Sequence, residues 1–170
     1  MSFSRDRSAG FLANHLARLF AAALAERIGP LGLAPAQFMT LLELWEEDGR
    51  TQVDLVRRLD VEQATMANTL RRMERDGLVR RTPDPDDRRA QRVWLTDRAR
   101  ALQAPATEAA QALNAAALEA LAPEARERFV DELAQVIAGL RAPAAQETET
   151  QATTGTTTGT TPGTTTGTGP

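Results

Sequence analysis

Two stretches near the start of the chain carry apolar residues at the spacing of one helix face. The first covers residues 7–28 and stops at Gly29, and the second begins at Pro35 and ends before Gly49. The first stretch has Leu12, Leu16, Leu19, Ala23 and Leu24 at helical spacing, and the second is predicted to place Phe38, Leu41, Leu42 and Trp45 inward. Each stretch therefore predicts a helix with an apolar face that needs a partner.

The next segment predicts two short helices joined by a tight connection. Thr51 stands three residues before Asp54, which is the spacing of a helix N-cap. Asp60 and Gln63 repeat that spacing, so a second helix is expected to start almost at once and run to about Asp76. Two short capped helices in succession are typical of a helix-turn-helix.

Polarity then alternates in two short runs, which predicts a β-hairpin. The first run, residues 78–82, follows the helix-stopping Gly77, and the second covers residues 91–95. A turn-rich segment, residues 83–87, joins them. A hairpin directly after a helix-turn-helix is expected to form a wing.

The C-terminal third predicts two more helices. Thr96 caps an Ala-rich helix that reaches about Ala120, with a bend near Pro105, and Pro123 begins the last one. The last helix carries Phe129, Leu133, Val136, Ile137 and Leu140 on one face. Because so small a subunit offers little apolar surface to the first and last helices, we expect them to pair across a two-fold axis in a homodimer.

The end of the chain has a different composition. From residue 151 to residue 170 it contains only Gln, Ala, Thr, Gly and Pro, which cannot bury a core. We expect the folded domain to cover residues 1–141 and a disordered Thr/Gly-rich tail to cover residues 142–170.

Composition favours a mostly α fold and limits the chemistry. Aromatic residues make up 4% of the chain, Tyr is absent, and Ala and Leu dominate the first 140 residues. The absence of Cys excludes disulfides, thiolate zinc sites and thiol redox switches. Asp84, Asp86 and Asp87 lack the further oxygen ligands that calcium needs, so a turn is the favoured interpretation of this acidic cluster. No metal or cofactor is predicted.

No membrane partner is expected from the sequence. No stretch approaches the roughly 18 to 20 apolar residues that span a bilayer, and the first ten residues lack the apolar region of a signal peptide. We therefore expect a cytoplasmic protein.

Charge is distributed unevenly along the chain. The net charge is −3, but residues 50–100 hold 13 Arg against 9 acidic residues, a local charge of +4. Every basic residue is Arg, which suits phosphate and minor-groove contacts, although a base-composition bias in the source genome would have the same result. The basic middle region predicts contact with a nucleic acid.

Two motifs in this region resemble those of the multiple antibiotic resistance regulator (MarR) family. Residues 73–79 resemble its Leu-Glu-x-x-Gly-Leu-Val motif, and residues 87–96 resemble its wing motif, Asp-Arg-Arg-x-x-x-Val-x-Leu-Thr. The resemblance covers about residues 10–141. It implies a mostly α winged helix-turn-helix dimer, with a DNA-binding lobe at about 34–96 and dimerisation helices at about 7–29 and 97–141. The family commonly represses nearby genes from palindromic operators and is often released by a small ligand.

The candidate contacts with double-stranded DNA lie on the second short helix, on the wing, and at Thr51, the predicted cap of the first short helix. Asn and Gln suit adenine in the major groove, Arg suits guanine or phosphate, and Arg in the wing suits a narrow minor groove. Met66 and Leu70 are expected to face inward instead, and the alternative for the whole surface is an ordinary solvated helix face. The candidates are Thr51, Gln63, Thr65, Asn68, Arg71, Arg72, Arg88 and Arg89.

Two finer expectations come from the family resemblance. Asp87 and Arg89 match a pair in which the carboxylate orients the guanidinium and shapes the wing, although a surface ion pair would contribute only about 0 to 1 kcal/mol. A ligand pocket between the dimer helices and the lobe would involve His15, Arg18, Phe38 and Trp45, whose alternative roles are in packing and the core.

Two other function classes remain open from sequence. An enzyme is disfavoured because the chain has no Cys, one His, and Ser only at positions 2, 4 and 8, so no Ser or Cys triad can be assembled convincingly. A helical interaction module that keeps this fold without DNA binding is the second alternative, and the Arg-rich region argues against it.

Overall fold

The computed structural model describes residues 4–87 and 89–154, with side chains described as far as Arg141. The chain divides into two compact units at the bond between Ala117 and Leu118. None of the described helices is both long enough and apolar enough to cross a membrane.

The first unit contains six α-helices and a small sheet among its described residues. The helices are α1 (Ala9–Ile28), α2 (Pro35–Glu46), α3 (Gln52–Leu59), α4 (Gln63–Arg75), α5 (Asp97–Ala101) and α6 (Gln103–Ala117). The strands are β1 (Arg50–Thr51), β2 (Val79–Pro83) and β3 (Gln91–Leu95). The predicted mostly α fold, with a helix-turn-helix in α3 and α4 and a hairpin wing, is confirmed.

The sheet is antiparallel, with β3 between β1 and β2. In the predicted hairpin, Val79 pairs with Leu95 and Pro83 pairs with Gln91. The strand β1 was not predicted, because two residues are too few to show an alternation of polarity. Its pairing of Arg50 with Val93 joins the start of the helix-turn-helix to the wing.

The core of the first unit lies among α2, α3, α4 and the sheet. Phe38 and Leu41 are buried as predicted, but the prediction that Leu42 faces inward is wrong, since 36% of this residue is exposed. The buried apolar side chains include Ile28, Phe38, Leu41, Leu44, Leu55, Met66, Leu70, Met73, Leu78, Val93 and Leu95.

The connection between α3 and α4 differs from the prediction in one residue. Thr51 caps α3 as expected, but Asp60 is not an N-cap. It ends α3 in the left-handed conformation, with φ 50° and ψ 45°, and the N–H of Val61 donates to the carbonyl of Val56 over 3.3 Å. Asp adopts the left-handed conformation more readily than most residues do. An Asp between two helices can therefore end the first helix as well as cap the start of the second.

The predicted bend near Pro105 is a break between α5 and α6 at Leu102. Proline has no N–H to donate to the carbonyl four residues earlier, which here belongs to Ala101. The helix resumes with the N–H of Ala106 donating to the carbonyl of Leu102 over 3.1 Å.

The second unit contains α7 (Pro123–Thr154). The helix begins at the predicted proline but continues over residues 142–154, where composition predicts disorder. Ala, Gln and Glu, which are good helix formers, predominate there, while the Thr/Gly repeat begins only afterwards. Residues 155–170 of the predicted tail lie outside the described residues.

Candidate nucleic-acid interface

The helix α4 presents a polar face to solvent. Met66, Leu70 and Met73 are buried and anchor its other face to the core, as predicted for the first two. Five candidate contact residues, Gln63, Thr65, Asn68, Arg71 and Arg72, are all exposed. The structure therefore brings together the part of the predicted site that lies on this helix.

Two side-chain amides on this surface bond to neighbouring side chains. Nη1 of Arg71 donates to Oδ1 of Asn68 over 2.7 Å, within one turn of α4. Nε2 of Gln52, at the start of α3, donates to Oε1 of Gln63 over 3.1 Å. Sequence reasoning missed Gln52 because its proximity to Gln63 depends on how the two helices pack.

The end of α4 is fixed by hydrogen bonds from two other helices. Oδ2 of Asp76 accepts from Nε2 of the buried Gln37 on α2, over 2.8 Å, and the carbonyl of Asp76 accepts from Nη1 of Arg98 over 2.8 Å. Hydrogen bonding from Arg75, and then from Gln37, holds the pKa of Asp76 below its ordinary value. These bonds tie the end of α4 to α2 and α5.

Thr51 holds the start of α3. Its Oγ1 accepts from the N–H of Asp54 over 3.2 Å and donates to Oδ2 of Asp54 over 2.6 Å. The hydrogen bond from the Thr51 hydroxyl is the main reason that the pKa of Asp54 lies below its ordinary value. The structure thus gives this predicted DNA contact a role in capping.

The wing turn is built around the buried carboxylate of Asp84. Its Oδ1 accepts from the N–H of Asp86 over 2.8 Å and from the N–H of Asp87 over 3.2 Å. Its Oδ2 forms an ion pair with Nε of Arg92 at 2.8 Å. These contacts support the predicted turn. Within residues 4–87 and 89–141, the described acidic and His side chains form no cluster suited to a metal.

The predicted wing pair makes a different contact from the one that the resemblance implies. Oδ1 of Asp87 accepts from the backbone N–H of Arg89 over 2.9 Å, so the carboxylate orders the chain rather than the guanidinium. Arg88 lies outside the described residues. Sequence reasoning assigned no such role to Asp84 or Arg92, although an Asp two residues before another turn residue is a recognised turn signal.

A cleft of about 270 Å³ brings the wing close to the starts of α3 and α4. Arg89, Thr51 and Gln63 line it together, with Gln52 and Arg81. The other candidates on α4, Thr65, Asn68, Arg71 and Arg72, lie outside this cleft. The candidate interface therefore consists of one exposed helix face with a basic wing at the start of that helix.

The wing turn should depend on pH through Asp84. The hydrogen bond from the backbone N–H of Asp86 is the main cause that holds the pKa of this carboxyl below its ordinary value. The backbone N–H of Asp87 and the guanidinium of Arg92 lower it further. A lowered pKa means that the stabilising contacts are complete above the ordinary Asp value and are lost as pH falls through the lowered one. We therefore expect the turn to be unchanged above about pH 4 and to loosen below it.

Backbone amide NMR shifts of Asp86 and Asp87 would measure this transition. In the wild type they should titrate together with a midpoint below the ordinary Asp pKa, and in Asp84→Asn that transition should be absent. A midpoint above the ordinary value would contradict the assigned contacts.

The predicted ligand residues do not share one site. Phe38 lines a cavity of about 520 Å³ whose lining includes residues of α1, α2 and α6. His15 is exposed and stacks on Phe11, Arg18 is exposed on α1, and Nε1 of Trp45 donates to the carbonyl of Ala99 over 3.1 Å. Sequence reasoning missed most of the cavity wall, because Phe20, Met39 and Leu42 are ordinary apolar positions in a helical pattern.

Comparisons with known proteins agree with this geometry. The model of the MarR family matches residues 33–90. The HTH-type transcriptional regulator TtmR of Methylorubrum extorquens (strain PA1) is 33% identical over 100 residues, which are 59% of this chain and 51% of TtmR. The chain thus spans about half the length of that curated relative.

Two solved structures are similar over most of the chain. A probable transcriptional regulator from Pseudomonas aeruginosa is 32% identical, with a TM-score of 0.72 over 78% of this chain and 99% of that chain. The transcriptional repressor CouR, solved bound to a 23-mer DNA duplex, is 26% identical, with a TM-score of 0.72 over 81% of this chain and 99% of that chain.

Proposed function

This chain belongs to the MarR family, and on that basis we propose that it is a sequence-specific regulator of transcription that binds double-stranded DNA. The observation that supports this most is the exposed polar face of α4, held by three buried side chains and followed by a basic wing. A helix of this kind fits the major groove, where its side chains can contact base edges.

The charges of the lobe divide into structural and exposed groups. Arg81 forms an ion pair with Glu74, and Arg92 forms one with the buried Asp84. Arg71, Arg72 and Arg89 are exposed on α4 and the wing. We infer that these three supply phosphate and groove contacts, and that affinity falls with salt in proportion to the phosphates they neutralise.

Binding to a duplex tests the proposal directly. We expect Asn68→Ala to weaken binding to a selected operator by about 1 to 3 kcal/mol, since it removes a base contact. Arg89→Ala should weaken binding to all sequences and lower the slope of log affinity against log salt by about 0.9 per lost phosphate contact. Fluorescence anisotropy over a salt series measures both effects, with sedimentation to check that the oligomeric state is unchanged.

Arg128→Ala in the second unit is the control for loss of one arginine, because its ion pair with Glu132 is exposed and remote in sequence from the lobe. Its affinity should equal that of the wild type. Unchanged affinity in both Asn68→Ala and Arg89→Ala would refute the proposed interface. A wild-type protein with no salt-dependent shift on any duplex would favour the interaction module instead.

We propose that the protein acts as a homodimer on a palindromic operator. Apolar side chains remain exposed on α1, including Phe11, Leu12 and Leu19. A second apolar set, Val130, Leu133, Val136, Ile137 and Leu140, is exposed on α7. Pairing of these faces between two copies would bury both sets and present two α4 helices to one duplex.

We further propose that the protein represses transcription until a small ligand releases it from DNA. The cavity of about 520 Å³ supports a ligand site, because its volume lies in the usual range for small molecules and apolar residues form most of its lining. Phe38 and Met39 line it from α2, while Gln37 on the same helix bonds to Asp76 at the end of α4. A shift of α2 on ligand binding would therefore move the end of the DNA-contacting helix.

A further inference from the structure

The cavity of about 520 Å³ has an apolar wall and a polar one. Residues of α1 and α2 form the apolar wall, and the rings of Phe20 and Phe38 are its largest side chains. The polar side chains among the described lining residues all belong to α6, where Thr107, Gln111 and Asn114 follow one another at spacings of four and three. This spacing places them on one face of the helix. A molecule in the cavity would therefore meet apolar groups on one side and polar groups on the other.

Two carboxamides in the polar wall are available to a ligand. Gln111 and Asn114 are exposed, and their side chains form no hydrogen bond within the part of the chain that the structure describes. The hydroxyl of Thr107 differs, because it donates to the carbonyl of Gln103 over 2.7 Å. A carboxamide has an acceptor oxygen and a donor NH₂ group. The wall can therefore bond to a carbonyl, an amide or a hydroxyl of a ligand.

The cavity offers no partner to a charged ligand. Every described residue that lines it is uncharged. His15 and Arg18, which the family resemblance suggested for a ligand site, lie on α1 outside this lining. An anion that entered would lose its hydration without gaining a cation, whereas a neutral polar group can exchange water for the two carboxamides. The lining therefore favours an uncharged molecule over a carboxylate, a sulfonate or a phosphate.

We propose that the cavity binds an uncharged, largely apolar small molecule whose carbonyl, amide or hydroxyl group bonds to Gln111 or Asn114. This inference rests on the proposed function, since it names the chemical class of the ligand for the proposed release from DNA. Gln111 and Asn114 would orient the molecule, while the apolar wall would supply most of the affinity through burial of its rings or alkyl groups.

A pair of fluorescent probes with one ring skeleton tests the inference on the full-length protein. N-phenyl-1-naphthylamine is uncharged, and 8-anilino-1-naphthalenesulfonate carries an added sulfonate. We expect saturable binding of the uncharged probe and roughly tenfold weaker binding of the sulfonate. Ala21→Phe adds a ring at an exposed position of the cavity wall and should weaken binding of the uncharged probe by a factor of roughly ten. That loss would assign the probe to the cavity rather than to the exposed apolar face of α7.

Gln111→Arg supplies the cation that the cavity lacks, at an exposed position where the fold should tolerate it. It should raise the affinity for the sulfonate by a factor of roughly ten, through a charge-assisted hydrogen bond, and leave that for the uncharged probe nearly unchanged. Gln103→Arg is the matched control, because it makes the same substitution at an exposed position of α6 outside the lining. It should change neither affinity.

Equal affinities of the wild type for the two probes would overturn the inference. So would binding of the uncharged probe that Ala21→Phe leaves unchanged, or a gain for the sulfonate that is the same in both arginine variants. Fluorescence anisotropy on a DNA duplex without probes keeps the proposed function separate. A protein that binds the duplex but neither probe would overturn the inference and the proposed ligand site, and DNA binding would stand. Failure to bind any duplex would overturn the proposed function, and the probe titrations would still decide which ligand class the cavity takes.

Discussion

Replacement of Gly49 by alanine should lower the free energy of unfolding by about 2 to 4 kcal/mol, through a clash and an unfavourable backbone conformation together. Gly49 has a φ of +79°, in the region that favours glycine, and a Cβ built on it would lie 2.5 Å from the ring of Trp94. That ring cannot move away easily, because its Nε1 donates to Oγ1 of Thr82 over 2.9 Å.

Gly77→Ala is the control that separates the two contributions. Gly77 has a similar φ of +68°, but no atom lies within 4 Å of the position that its Cβ would take. We therefore expect a loss of only about 1 to 2 kcal/mol, from the left-handed conformation alone. Urea unfolding of the wild type and both variants measures the difference, and equal losses would show that Trp94 does not restrict Gly49.

The contact between Gly49 and Trp94 illustrates what the sequence could not predict. The glycine before the helix-turn-helix was correctly placed at the end of a helix, since Gly is a strong local stop signal. Its second role arises from the antiparallel pairing of Arg50 with Val93, which places residue 49 beside the wing. No local pattern reports such a pairing, because β1 is only two residues long.

Features that depend on neighbouring residues were predicted well. The cap at Thr51, the start at Pro35 and the stop at Gly77 all depend on residues within a few positions of one another. Asp60 shows the limit of such signals, because its short carboxylate suits both the start and the end of a helix. Because Asp60 lies between two helices, the tertiary fold decides whether it ends α3 or caps α4.

The residue types of the candidate interface were predicted more completely than its geometry. The exposed residues of α4 followed from helical spacing once Met66 and Leu70 were assigned to the core. The bond of Gln37 to Asp76, 39 residues away, and the ion pair of Asp84 with Arg92 fix how α4 and the wing are held. Such bonds join polar residues that are unremarkable on their own elements, so spacing does not reveal them.

The exposed apolar face of α7 leads to the other large expected effect. Leu133→Glu should convert the proposed homodimer to a monomer and reduce affinity for a two-half operator by about a hundredfold or more, because each copy would then bind one half-site alone. Leu133 is 38% exposed, so the glutamate reaches solvent in an isolated chain and need not unfold it. At a dimer interface the same charge would be buried without a partner.

Sedimentation at micromolar concentration and anisotropy on the same operator measure the two consequences. Gln135→Glu is the matched control, because it adds the same charge at an exposed position on the polar side of α7. It should leave both the dimer and the DNA affinity unchanged. A Leu133→Glu protein that stays dimeric with full affinity would show that two copies associate through another surface, such as the apolar residues of α1. A wild-type protein that is monomeric at this concentration would remove the basis for a palindromic operator.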